Sequence, residues 1–529
     1  MSPFRQLMRL YLDRYYASEA LASGSGFEAS VYAVLALIAT TEIFFSPVGP
    51  LFLTAYAFGV TGLATAFEWD MLFPDRRDFL VLTPFPIRMR HLFAAKLASL
   101  AIFLSAVMVA VHAYIPFVFF GLGSGHAAGA DVVRQLLGIV AATACASVFA
   151  FLSVAGFQGI CINICGARAY RRISPWLQTF AMCLMVFAVL LFPVYFLAVS
   201  FFPSGHANWV WWIPPFWFQG VAAFFSPRPD PALAALGMFG CKALAVAFLV
   251  CCLAWAAGYA HHYRRTLEAQ DLVALRPGRS RSIFDGFLGS NEARAIFYFT
   301  GQTLARSVKH RLFFAAYLSA GLSLGLFVTL TVSSRGISVP AAGLRSLSPL
   351  MVFFVVSGFR AAFQFPAELP ANWLLRVTES GWGEASRRAS RLRAMVSGLL
   401  PALVAFVPLE VGRWGLGAGL FHIAVQAVAG MLLIEVLFYS FDKIPFTCSC
   451  FPGGLNLIFL AVAYFYGFTS YSFQIADLEA WLESRPCTAA LCLAAAAAAW
   501  IAIRRFRPGG VTAIRFEGGE PAIRTLELT

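Results

Sequence analysis

The chain has 529 residues, 60% of them hydrophobic and only 12% charged, with 54 phenylalanines and a formal net charge of +13. Average soluble domains carry roughly 25% charged residues, so the composition argues against a soluble enzyme or binding module. The apolar residues come in runs of about 18 to 29, long enough to cross a hydrocarbon layer of roughly 30 Å as helix. The alternation of a transmembrane barrel, apolar and polar over about ten residues, is absent.

In chain order, residues 3–18 read first as an amphipathic helix on the inner membrane surface. Phe4, Leu7, Met8, Tyr11 and Tyr15 recur there at helical spacing among Arg5, Arg9 and Arg14. The first 26 residues lack the leading apolar core of a cleaved signal. Spans are then expected at 28–45, 48–67, 97–120, 136–164, 176–202, 232–260, 312–332, 349–367, 394–412, 415–441, 454–473 and 487–503. With the N-terminus inside, the inner segments hold 31 of the 39 lysines and arginines and the outer loops six. That bias predicts cytoplasmic termini and an even number of spans, in a bacterial inner membrane. The positive charge is thereby explained by topology, and no basic patch stands apart from the membrane flanks to bind nucleic acid.

The expected fold is an all-α membrane protein of about twelve transmembrane helices in two six-helix halves. Residues 1–260 form the first half, 261–311 a cytoplasmic linker, 312–503 the second half and 504–529 a cytoplasmic tail. Each half opens with a basic stretch, FRQLMRLYLDRYY or RSVKHR. In each, the second span runs into a long charged inner loop. Six spans per half give both halves one orientation, related by a pseudo-twofold along the membrane normal.

Chemistry is sparse. Cys448 and Cys450 lie in TCSCFPGG without a second pair or a nearby His, so no metal site is expected. The four lysines, Lys96, Lys242, Lys309 and Lys443, follow Ala95, Cys241, Val308 and Asp442, so none closes a phosphate-binding P-loop. No catalytic residue or cofactor is expected, and any ATP must be bound by a separate subunit. Pro203, Ser204, Gly205 and His206 resemble the central motif of type-2 phosphatidate phosphatases, but the flanking motifs are missing. Charged residues within apolar spans are functional candidates because an unpaired charge in lipid is expensive. They are Glu42, Lys242, Arg360 and Glu435; His112 and His422 join them as ionisable groups. Glu42 and Lys242 are placed to snorkel. Arg360 and Glu435, opposite in sign, are expected either to pair structurally or to serve proton or ion coupling.

Residues 68–96 are the most informative stretch. Asp75, Arg76, Arg77 and Asp78 precede a turn at Pro84 and Pro86, and mixed charge of this kind suits docking to a soluble partner. The segment FPDRRDFLVLTPFPIRMRHLFAAKLAS resembles the loop between helices two and three of type-2 ABC exporter permeases. WWIPPFWFQGVAAFF resembles the Pro-aromatic connector before the sixth helix of that family. The resemblance covers residues 1–260, while the second half matches in span pattern only. It implies a permease subunit whose loop, carrying Asp75, Arg76, Arg77, Asp78, Pro84 and Pro86, docks on a separate ATP-binding subunit. A fused double unit would then supply both membrane halves within one chain, in contact with membrane lipid. The competing expectations are an ion-coupled secondary transporter and a membrane-embedded lipid-modifying enzyme with His206 at its centre.

Overall fold

Long apolar runs satisfy their backbone polar groups in lipid by coiling into helix, and helix dominates this chain. The computed structural model describes residues 3–16, 49–72, 89–121, 130–190, 208–227, 229–268, 285–329, 331–333, 336–338, 341–367, 382–439, 441, 443–447 and 457–505. Among them, five stretches are long and apolar enough to cross a membrane: Asp131–Cys165, Ile173–Leu190, Pro231–Ala257, Gly343–Ala362 and Gly383–Leu437. Shorter apolar helices cover Leu51–Phe67, Ala94–Val109 and Cys487–Ile503. The expected span 28–45, with Glu42, lies outside the described residues. So does the charged segment holding Asp75, Arg76, Arg77, Asp78, Pro84 and Pro86. The architecture is that of an integral membrane protein, and the chain divides into two compact units, Met1–Ala274 and Leu275–Thr529.

The first unit contains α1 (Pro3–Tyr16), α2 (Gly49–Phe67), the single turn α3 (Trp69–Leu72), α4 (Met89–Gly121) and α5 (Ala130–Leu190). A 3-10 turn at Asn208–Trp212, α6 (Pro214–Ala223) and α7 (Pro231–Glu268) follow. The apolar stripe of α1 is buried: Leu7 and Tyr11 are covered, Lys96 of α4 lies 5.5 Å over the Tyr11 ring, and Ser99 donates to the Met8 carbonyl. The 61-residue α5 is helical throughout but not straight. Its Ser147 hydroxyl donates to the carbonyl of Ala57, while Met185 and Val189 press on Gly59, two residues further along α2. In a straight helix residues 147 and 189 would be about 63 Å apart. The Gln158 amide also donates to the Tyr170 hydroxyl. The helix therefore doubles back between its two membrane-length arms, where Arg168, Arg171 and Arg172 fall in the sequence.

Helix α2 is the hub of this unit. Gln178 donates to the Ala66 carbonyl at its end and Gln158 to that of Trp69, which opens α3, and Trp69 donates its indole N–H to Ser174. Small residues admit the partners, as between helices in membranes: Gly59 and Gly62 lie beneath Val189 and Met185. Helix α6 starts at a Pro-Pro pair, pre-set for a first turn, and buries Phe216, Phe218 and Val221. Its Gly220 touches Gly237 of α7 backbone to backbone; a Cβ at position 220 would stand 2.3 Å from the Gly237 nitrogen. Helix α7 exposes Met238, Phe239, Val246, Phe248, Leu249 and Leu253, as a lipid-facing helix does.

The second unit contains α8 (Asp285–Leu288), α9 (Asn291–Arg306), α10 (Val308–Thr329) and a ribbon of β1 (Thr331–Ser333) with β2 (Gly336–Ser338). Then come α11 (Ala341–Ala362), α12 (Trp382–Ala394), a five-residue π turn (Met395–Leu399), α13 (Leu400–Leu437), α14 (Leu457–Glu483) and α15 (Pro486–Arg505). The all-α expectation stands among the described residues, with one short antiparallel ribbon in which Val332 is opposite Ile337. One boundary is amended. Helix α11 begins at Ala341, ahead of the expected span 349–367, which brings Arg345 and Ser348 onto the helix.

Helix α11 is the hub here. Phe353 and Phe354 meet Phe468 of α14, Gly358 takes Tyr317 of α10, and Val352 lies near Gly430 of α13. Amphipathic α9 is capped by Ser290, whose hydroxyl accepts from the Ala293 N–H. It packs on α12, with the Arg393 guanidinium 3.7 Å over the Phe297 ring. Helix α13 reverses at Gly415, whose φ of 82° and ψ of 169° suit glycine alone. After this reversal Gly419 packs against the backbone of Glu410 and Val411.

Candidate functional site: two buried polar clusters in the second unit

Sequence reasoning singles out Arg360 and Glu435, and the structure gives them different partners. Arg360 lies in the last turn of α11, and Glu435 lies near the end of α13. The Glu435 carboxylate is bonded by Arg391 of α12 at 2.6 Å. Arg360 donates its Nε–H to the carbonyl of Leu437 at 2.9 Å and stacks 4.9 Å over the Phe441 ring. It thus satisfies a carbonyl that the end of α13 leaves without an intrahelical donor. Both charges belong to the end of the unit where α13 stops, and both are engaged in holding it together. Lys242 lies on the exposed face of α7. His112 is paired at both nitrogens, by the Met108 carbonyl at 2.7 Å and the Thr143 hydroxyl at 3.1 Å.

A second cluster lies near the Gly415 turn, at the other end of α13's second arm. Because the helix reverses there, Glu410 and His422 face each other across the turn; twelve residues of straight helix would separate them by about 18 Å. His422 Nδ1 is 3.4 Å from Glu410 Oε2, and both side chains are fully buried. Gln426 donates its amide to the other oxygen of Glu410 and accepts from the Ser348 hydroxyl of α11. His422 Nε2 points to Glu483 of α14 at 3.6 Å. Glu483 also holds Arg345 at 2.9 Å, and Arg345 lies over Trp414. The Trp414 ring meets the imidazole edge-on, with centroids 5.2 Å apart. Glu479, one turn before Glu483 on α14, is also fully buried, yet neither of its carboxyl oxygens has a hydrogen-bond partner. Gln426, Glu410 and Arg345 act on it electrostatically, with Gln426 short of hydrogen-bond geometry.

His422 stands out in the sequence as an ionisable group within a span. Glu479 does not, because it falls beyond the expected span 454–473. The signal available was helical spacing: Ala476, Glu479 and Leu482 recur on one face, and all three are buried. Among the described residues no group of three or more His, Cys, Asp and Glu side chains is arranged to hold a metal ion. No family model, curated protein or solved structure matches the chain.

Proposed function

We propose that the chain is the membrane permease of an ABC-type exporter, twelve spans in two six-helix halves with cytoplasmic termini, working with a separately encoded ATPase. One observation carries the reading. In each unit an amphipathic helix (α1 or α9) packs on the element that begins a later long helix, α4 or α12. In each, an apolar helix preceding that element, α2 or α11, is the hub. A repeat at the level of packing supports two related permease units fused in one chain. The Pro-aromatic connector, folded as α6 and tucked onto α7, agrees with the resemblance of the first half. Affinity purification in mild detergent tests the proposal: an ATPase should co-purify at a fixed ratio, and the chain alone should hydrolyse no ATP above background.

A secondary transporter driven by an ion gradient is the alternative, and the buried Glu410, His422 and Glu479 cluster favours it over the lipid-enzyme reading. Ionisable groups this deep in a helical membrane protein usually serve a pathway or relay. Uptake or efflux by the purified chain in vesicles under a pH gradient, with no ATPase present, would decide for that alternative.

A further inference from the structure

We propose that Glu410, His422, Glu479 and Glu483 form a proton-binding site, loaded from the surface through Glu483 and His422 and storing its proton on Glu479. The argument begins with charge. The cluster holds three carboxyl groups, Glu410, Glu479 and Glu483, against one permanent cation, Arg345, and one imidazole, His422. With every acid ionised and the imidazole neutral, the cluster carries two uncompensated negative charges. Burying even one such charge is strongly unfavourable, and the usual outcome is that the group takes a proton.

Geometry says where the protons go. Both imidazole nitrogens face carboxylates, Nδ1 toward Glu410 at 3.4 Å and Nε2 toward Glu483 at 3.6 Å. Neutral imidazole has one donor and one acceptor, whereas imidazolium donates at both nitrogens and matches two carboxylates. Glu479 is the acid without a bonded cation, and its oxygens receive no hydrogen bond. A protonated carboxyl is the form that such an environment tolerates. With one proton on His422 and one on Glu479 the cluster is neutral.

The same contacts define a path. Glu483 is 36% exposed and is the member of the cluster open to the surface, while His422 and Glu410 are fully buried. When the ring is neutral with its proton on Nδ1, a proton taken up on Glu483 passes to Nε2 and the Nδ1 proton passes to Glu410, whose charge acts on Glu479; transfer from Glu410 to Glu479 and tautomer exchange of the ring complete the relay. Among the described residues, the titratable and charged groups that face the cluster come from three helices. Helix α11 contributes Arg345, α13 contributes Glu410 and His422, and α14 contributes Tyr471, Glu479 and Glu483. At the turn into α15, Arg485 lies over the Trp481 ring. The site needs no cavity, because a proton occupies none, and it stands whether ATP or an ion gradient drives the protein.

Infrared difference spectroscopy of the full chain in lipid nanodiscs, titrated from acid to alkaline pH, tests the site. Wild type should show the carbonyl stretch of a protonated carboxyl at neutral pH, shifted in D2O and lost as pH rises. Glu479→Gln should remove that band. It should keep the wild-type melting temperature at neutral pH, because glutamine mimics the protonated acid. Glu410→Gln should retain the band and move its titration. Absence of the band from wild type at every pH overturns the proposal, and so does its persistence unchanged in Glu479→Gln. Loss of the wild-type band on replacing choline chloride with sodium chloride at fixed pH also overturns it, since the carboxylates would then bind sodium.

Discussion

The Arg391–Glu435 bridge is short and nearly closed to solvent, its side chains 12% and 4% exposed. Removing one member of such a pair leaves a buried charge and typically costs about 3–5 kcal/mol, whereas replacing both by apolar groups is often neutral. Glu435→Leu is therefore expected to lower the thermal midpoint in detergent sharply. Arg391→Met with Glu435→Leu should recover most of the loss, as read by fluorescence-detected size exclusion after heating. An ion-coupling role for Glu435 predicts instead that the double variant is stable but inactive in transport. At this scale the sequence reveals the ionisable side chains and hides their partners. Arg360 and Glu435 look paired because they are opposite charges within apolar runs. Arg391 looks like ordinary basic flank until α12 lays it beside α13. Glu479 looks solvated for the same reason: a carboxylate at the end of an apolar run shows its burial only when α11 and α13 close over it.

Helices follow from the apolar runs: the five stretches long and apolar enough to cross a membrane overlap expected spans, while α11 starts ahead of its span and α14 runs past its own. How they turn does not follow so directly. The reversal of α5 falls in a stretch that continues helical hydrogen bonding, and α6 is a short apolar segment too brief to read as a span. Two glycines separate the forces at work. At Gly220 the backbone conformation is ordinary and the space is not: a Cβ would stand 2.3 Å from both the Gly237 nitrogen and the Leu233 carbonyl. At Gly415 the space is open and the backbone is not, with φ at 82°. Gly220→Ala should push α6 from α7 and destabilise by about 1–3 kcal/mol through overpacking. Gly415→Ala should cost about 1–3 kcal/mol through strain alone. Gly412→Ala, with nothing within 4 Å and helical backbone, should be neutral or slightly stabilising. Thermal midpoints of the three purified variants check the ranking. If Gly220→Ala behaves like Gly412→Ala, α6 does not sit against α7 as described.

Across the whole molecule, the chain divides into two compact units, each with an amphipathic helix, α1 or α9, packed on a later helix. The apolar runs were legible as hydropathy; the packing of α1 and α9 was not, because amphipathic helices show which face is apolar and not what covers it. Residues 68–88 connect α2 to α4, and there the acids Asp75 and Asp78 precede Pro84 and Pro86, whose fixed φ limits backbone freedom. A stiff connection transmits a push better than a Gly and Ser linker would. On the exporter reading, Asp75→Lys with Asp78→Lys should weaken the complex with the ATPase. Losing a desolvated charge pair there would cost about 2–5 kcal/mol, whereas a rim charge would change mainly the association rate. Membrane insertion should survive, since inner loops tolerate added positive charge. Arg228→Asp, in the segment between α6 and α7, is the control and should leave assembly intact. Co-purification at matched expression compares the three proteins. If the Asp75 and Asp78 variant captures its ATPase at the wild-type ratio and supports wild-type transport, this loop does not couple the two. Transport by the chain alone under a pH gradient, abolished in Glu410→Gln, would then assign the energy source to protons and the coupling to the buried cluster of the second unit.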